Sequence, residues 1–237
     1  MYEVKQKFKE YALSYAGVCG GNPKSRYWFC GIEWGGTDSS LDDLEPITEI
    51  LPYKNTEEAQ ESPVNLSIAK IMCAIEENNR DPKEFRNSSD FCGKNMFKMN
   101  LYPLSFPTSE DKCWKERHHL YTGFPTKKLY RDWCQTFRFP IFKEWLKAGD
   151  PKIVLGFGKN WANNFVLAFI GDAQSSNKYL VEEKEEGLPS GKSVKIIKLA
   201  PGNANNIDSL ILTPFLGRGL MADPDLKCLG EIIGKLP

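Results

Sequence analysis

The chain has 237 residues and a mass of 26.9 kDa, room for one large domain or two small ones. Lysine plus arginine and aspartate plus glutamate both number 31, so the formal net charge is zero. That excludes a nonspecific polyanion-coating protein but leaves a local nucleic-acid groove open.

Hydrophobic residues make up 41% of the chain, enough for a full core. The seven cysteines are odd in number and widely spaced, and no C-x-x-C pair occurs. Such spacing gives poor support for a zinc or iron–sulfur site. Neither a metal nor an organic cofactor is expected, and the cysteines read as free thiols of a reducing compartment. The first residues are polar and mixed in charge, unlike a signal peptide. No apolar run reaches membrane-spanning length. The expectation is a cytoplasmic protein without a membrane partner.

Residues 3–16 predict a first helix, with Phe8, Tyr11, Ala12 and Tyr15 on one face. Gly17, Gly20, Gly21, Asn22 and Pro23 end it. The first strong strand is Arg26–Gly31, rich in aromatics and closed by a Gly-rich turn that contains Glu33. The glycines there give backbone room to approach a ligand. From Asp38 to Glu61 the chain is acidic, with Lys54 its only cation, and reads as a surface excursion.

Ser62 and Pro63 open a second helix, with Ser62 as cap and Pro63 at the first helical position. Leu66, Ala69, Met72 and Cys73 recur at helical spacing to about Glu77. Asn78 to Asp90 reads as polar connection. A short strand follows in Asn95–Leu104, with Asn100 at its carboxyl end and extended backbone before Pro103. Lys112 to Arg131 is richer in cations and holds His118 and His119. Leu129 to Ala148 predicts one or two helices broken near Pro140. Lys152–Gly158 reads as a second strand and turn, and the helix Asn160–Ile170 follows directly. Gly156 and Gly158 lack the third glycine and the distant acidic residue of a dinucleotide site. Tyr179–Val181 and Val194–Leu199 predict strands joined by a turn over Glu182–Gly191. Leu210–Leu212 is a short buried strand that runs into Thr213-Pro214-Phe215-Leu216-Gly217-Arg218-Gly219. Asp223 to Ile233 predicts a terminal helix.

Four strand ends therefore carry the candidate chemistry: Glu33, Asn100, Gly156 with Gly158, and Thr213 to Arg218. In that order they resemble the uracil-DNA glycosylase superfamily over roughly residues 26 to 220. The family has a Gly-x-(Asp/Glu/Asn)-Pro-Gly-like turn after its first strand, whose polar residue orients the attacking water. Gly31-Ile32-Glu33-Trp34-Gly35 is similar, with Trp34 in place of the usual proline. Ser62-Pro63-Val64-Asn65-Leu66 resembles the family's Pro-opened helix. Met99-Asn100-Leu101-Tyr102-Pro103 resembles the segment whose Asn reads the pyrimidine edge. Thr213 occupies the usual His slot of the last motif, which removes the imidazole that stabilises the leaving base.

The resemblance implies an α/β fold: a three-layer α/β/α sandwich with a central, mainly parallel sheet. It implies one domain over residues 1–237, with the acidic excursion near 37–61. Its site residues are Glu33 and Thr213 for catalysis, and Gly31, Trp34, Phe91, Asn100 and Tyr102 around the base. Arg218 and Gly219 would meet the DNA backbone. Glu33 and Asn100 are expected to face one cavity. The implied partner is DNA, single-stranded or containing an altered base, and the implied state a monomer.

The chemistry stands without the resemblance. A carboxylate can orient water and favour positive charge developing on a sugar carbon. An Asn amide both donates and accepts, and a flipped base needs an aromatic or apolar platform. The rival readings are a catalytically weak relative that binds nucleic acid or a nucleotide, and a small-ligand hydrolase covered by the acidic segment. No Gly-x-Ser-x-Gly elbow or Walker A motif occurs.

Overall fold

The computed structural model describes residues 2–35, 41, 44–50, 61–77, 80–93, 96–172, 178–203, 205–217 and 219–237, without the side chains of Trp34 and Cys92. Most of the acidic segment 37–61 and Arg218 thus lie outside the described residues.

In chain order, helix α1 (Gln6–Leu13) leads into strands β1 (Val18–Gly21), β2 (Tyr27–Gly31) and the short β3 (Trp34–Gly35). Helices α2 (Pro63–Ile75), α3 (Pro82–Arg86) and α4 (Ser89–Gly93) precede β4 (Phe97–Asn100) and β5 (Ser105–Phe106). Helices α5 (Glu116–Thr122), α6 (Lys127–Trp133) and α7 (Phe139–Gly149) follow, then β6 (Ile153–Phe157) and α8 (Ala162–Phe169). The chain closes with β7 (Leu180–Gly187), β8 (Ser193–Leu199), β9 (Ser209–Thr213) and α9 (Asp223–Gly234).

The fold is mixed α/β. Its seven-stranded sheet has the order β1-β4-β2-β6-β9-β8-β7. The four strands with apolar runs, β4, β2, β6 and β9, lie side by side and parallel in its centre. Trp28 faces Phe97 on one side and Val154 on the other. The flanking β1, β8 and β7 are antiparallel to their neighbours. The sheet as a whole is therefore mixed, and only its centre is parallel. β3 and β5 form a separate two-stranded parallel ribbon.

Side chains alternate across this sheet with the period of two that strands impose. Trp28, Cys30, Val154, Leu210 and Leu212 join one apolar cluster with Phe8, Tyr130, Phe142 and Phe169. Phe29, Leu155, Phe157 and Ile211 join a second with Ile68, Met72, Leu229 and Ile233. Helices α1, α6, α7 and α8 thus serve the first cluster, and α2 and α9 serve the second.

Several segments differ from expectation. Val18–Gly21 is a strand rather than a helix end; a Cβ on Gly21 would stand 2.3 Å from the Met96 carbonyl oxygen, so glycine permits the close pairing with β4. Ser62 occupies the N-cap of α2 without a side-chain hydrogen bond. The segment read as polar connection holds α3, capped by Asp81 accepting from the amides of Lys83 and Glu84, and then α4. Most of Glu182–Gly191 belongs to β7, whose Glu182 and Glu183 pair with Lys198 and Lys195 of β8. Near Pro140 the helices are not broken by a loop: one turn of π-helix, Cys134–Arg138, joins α6 to α7. Among the described residues, no helix is long and apolar enough to cross a membrane.

Candidate functional site

The chain leaves β2 for β4 on one side and later returns to β2's other side as β6. This change of direction opens a crevice beyond the carboxyl ends of β2 and β6, where ligands of open α/β sheets bind. A cavity of about 720 Å³ lies there, with Ile32 and Glu33 after β2, Gly158 to Trp161 after β6, and Pro214 and Phe215 after β9. Phe106 to Ser109, Lys192, Ser193 and Leu220 complete much of its wall.

Gly158 makes the turn possible. Its φ is +117°, and a Cβ there would stand 2.6 Å from Ile32 Cδ1. Its amide donates to the Thr213 carbonyl at 2.9 Å, which ties the ends of β6 and β9 together. On the first strand's side, the amides of Leu101 and Tyr102 donate to the carbonyls of Gly31 and Ile32 at 3.0 and 2.9 Å. Glu33 therefore projects from a backbone fixed by its neighbour strand.

The Glu33 side chain is 5% exposed and the Lys127 side chain 0%. Lys127 Nζ donates to Glu33 Oε1 at 2.8 Å and to the Thr108 carbonyl at 3.2 Å. It also lies 3.6 Å from the centroid of the Phe106 ring. Glu33 Oε2 is buried with no hydrogen-bond partner among the described residues. Burial pushes the Glu33 carboxyl above its usual range, against the attraction of Lys127 and, less strongly, Arg131. The same burial pulls Lys127 down, against the pull of Glu33. Both shifts favour the neutral forms, so the ion pair stands in a setting that resists charge. The unpaired Oε2 belongs to a residue that lines the cavity but has almost no accessible surface of its own, so a donor from the cavity reaches it only when the wall shifts.

The other expected residues are placed differently. Asn100 is 5% exposed and stands outside the cavity lining. Its Nδ2 donates to the Gly17 carbonyl at 3.5 Å and approaches Cys19 Sγ at 3.6 Å. The structure thus does not bring Asn100 to the cavity with Glu33. Tyr102 is buried behind Trp161, and its hydroxyl accepts from Asn164 and Gln135; burial pushes the phenol up to about 12. Phe91 packs edge-on against Phe85 in the cluster on the sheet's opposite face. Thr213 is fully buried, and its hydroxyl donates to the Pro214 carbonyl at 2.8 Å. Gly31 lies in β2 against Asn100, and Gly219 (φ +68°) has open space beside it.

Sequence reasoning missed Lys127, Phe106, Trp161, Lys159 and Lys192. Lys159 is held by Glu185 at 2.9 Å and Ser193 at 2.8 Å, and Lys192 by the Leu220 carbonyl. Trp161 carries Arg131 over its ring, 4.6 Å from guanidinium carbon to centroid. Lys127 and Arg131 turn inward, so the basic stretch that contains them is not a uniformly solvated face. A signal for Lys127 existed: it lies in helical register with the buried Tyr130 and Cys134.

Among the described residues, no group of three or more His, Cys, Asp and Glu is placed to hold a metal ion. No protein-family model matches the chain, and no curated protein matches it.

Proposed function

We propose that the protein hydrolyses the N-glycosidic bond of uracil or a related altered base in DNA, as a divergent relative of the uracil-DNA glycosylase superfamily. The observation that carries this reading is the unpaired, buried Oε2 of Glu33, a residue that lines a cavity just beyond the central strand. The finer fold expectation, a three-layer α/β/α sandwich as one domain, draws support from the two apolar clusters on opposite sheet faces. It draws further support from the parallel centre with the order β4-β2-β6-β9.

In this reading the wall opens enough for water to donate a hydrogen bond to the buried Oε2 and attack the sugar's anomeric carbon, and the proton it loses as the O–C bond forms passes to Oε2. The C–N bond breaks and its electron pair leaves with the base. The ionised Glu33 favours the positive charge that develops on the sugar. Trp161 and Phe215 offer flat apolar surfaces for an extruded base. Lys159 and Lys192 on the wall favour the anionic leaving group, in a site where Thr213 replaces an imidazole.

A second reading, a binding protein with little catalysis, is favoured by one observation. The amide of Asn100 and the hydroxyl of Thr213 are both engaged by the protein's own atoms. The test is single-turnover release from single- and double-stranded oligonucleotides carrying uracil, hypoxanthine or xanthine, read as abasic sites, beside a binding measurement. Glu33→Gln is expected to slow release by about 10²–10³-fold, the scale for one pre-aligned polar group, with DNA affinity little changed. Equal release by wild type and Glu33→Gln would remove Glu33 from the chemistry. Binding without release by either protein would favour the second reading.

A further inference from the structure

Lys127 stands at the first position of α6, where the helix dipole disfavours a cation. It is nevertheless fully buried and satisfied on three sides: Glu33 Oε1 at 2.8 Å, the Thr108 carbonyl at 3.2 Å and the Phe106 ring at 3.6 Å. Glu33 and Phe106 line the cavity, whereas Lys127 does not. A ligand in the cavity would therefore meet Lys127 only through Glu33, Phe106 and Thr108, of which Glu33 alone carries a charge.

We propose that Lys127 is a positioning residue that occupies Oε1 of Glu33, keeps the buried carboxylate ionised and leaves Oε2 as its one unpaired acceptor. This defines the chemistry that Glu33 can receive. A single N–H or O–H donor, such as an attacking water, fits one free oxygen. A guanidinium-like fork, which needs both carboxylate oxygens, does not. Other charged or titratable groups act on the pair. Arg131 attracts the Glu33 carboxylate and repels Lys127, Asp111 repels Glu33, and Cys113 and Tyr130 lie near enough to couple to Lys127 and Glu33 respectively.

Any effect of Lys127 on base release rests on the glycosylase reading, whereas its hold on the Glu33 charge does not. The experiment titrates the full chain by carboxyl ¹³C NMR, with the Glu33 signal assigned by its loss in Glu33→Gln. Wild-type Glu33 is expected to be ionised at pH 7. Lys127→Met is expected to raise its midpoint by about one to three pH units, the range for loss of a close opposite charge. Lys127→Arg, which keeps the charge, is expected to stay nearer the wild-type value. In parallel, single-turnover release of uracil from an oligonucleotide is followed against pH. The acid limb should move upward with the Glu33 midpoint in Lys127→Met, while the half-saturating protein concentration stays the same. A wild-type Glu33 protonated at pH 7, or a midpoint indifferent to Lys127→Met, overturns the proposal. If Lys127→Met does not fold, the wild-type and Lys127→Arg titrations still decide it. If wild type releases no base while the titrations behave as expected, the glycosylase reading fails and the role of Lys127 toward Glu33 stands.

Discussion

Oδ1 of Asn100 stands 2.3 Å from the point where a Cβ on Gly31 would lie, and the two residues are register partners in β2 and β4. Glycine at the end of the central strand is thus set by the side chain of its neighbour rather than by turn geometry. Gly31→Ala forces the amide of Asn100 away from Gly17 and Cys19. Its expected cost is about 1–3 kcal/mol, the usual penalty for overfilling a packed site. In an Asn100→Ala background the same substitution should cost clearly less. Urea denaturation of the four proteins measures this coupling, and purely additive costs would contradict the contact.

Arg138 holds the far side of the same region. It is fully buried in the π-helical turn, and its guanidinium donates to the carbonyls of Ala12, Ser14, Ala16 and Leu101. It thereby satisfies acceptors at the end of α1, before β1 and after β4. Arg138→Met should destabilise the protein by about 3–5 kcal/mol, the range for breaking up a buried charged network. Arg138→Lys should recover only part of this, because an ammonium cannot reproduce the planar fork. Full stability of Arg138→Lys in thermal or urea unfolding would show that charge alone suffices.

The parallel centre was legible because β2, β6 and β9 are apolar runs closed by a glycine or by Thr-Pro. β1 was not, because Val18-Cys19-Gly20-Gly21 looks like a breaker until the backbone of Met96 is beside it. β7 was not, because Glu182 to Glu186 reads as solvated loop. Glu182 and Glu183 are matched across the ladder by Lys198 and Lys195, and Glu185 by the distant Lys159. In the site, Glu33 stood out as a carboxylate just after a buried strand. Its partner Lys127 lies 94 residues further on, a separation that local pattern does not bridge. Asn100 had the same strand-end position as Glu33, but strand position alone does not tell which neighbour takes up a side chain.

The Glu33–Lys127 pair has a distinct stability signature. In Lys127→Met, Glu33 loses the ammonium that opposes its desolvation, so its folded-state pKa rises further above the unfolded value. A carboxyl raised in this way contributes most below its unfolded pKa and loses that contribution as pH rises through the folded one. Lys127→Met should therefore be close to wild type near pH 4 and fall behind as pH rises, by about 1–4 kcal/mol near neutrality for a rise of about one to three pH units. Adding Glu33→Gln removes the unpaired charge and should recover most of the loss. Chemical denaturation from pH 4 to 8 measures both effects. A deficit independent of pH, or a double variant less stable than Lys127→Met, would count against burial as the cause.

Thr213 separates a sequence slot from a working group. Its hydroxyl donates to the Pro214 carbonyl at 2.8 Å with the Gly156 carbonyl at 3.5 Å, and the residue has no exposed surface. The hydroxyl thus points into the backbone at the end of β9, while Pro214 and Phe215 continue to the cavity wall. Thr213→Val keeps the branched shape and removes only that hydrogen bond. Its expected cost is about 0.5–1.5 kcal/mol, the usual net worth of one such bond, with base release nearly unchanged. Thr213→His must place a larger ring in a filled site, so it should destabilise the protein and bring no gain in release. Single-turnover rates beside unfolding curves check both variants. A large loss of release in a stably folded Thr213→Val would place the hydroxyl in the chemistry. Faster release by Thr213→His would mean that the end of β9 can open toward the cavity.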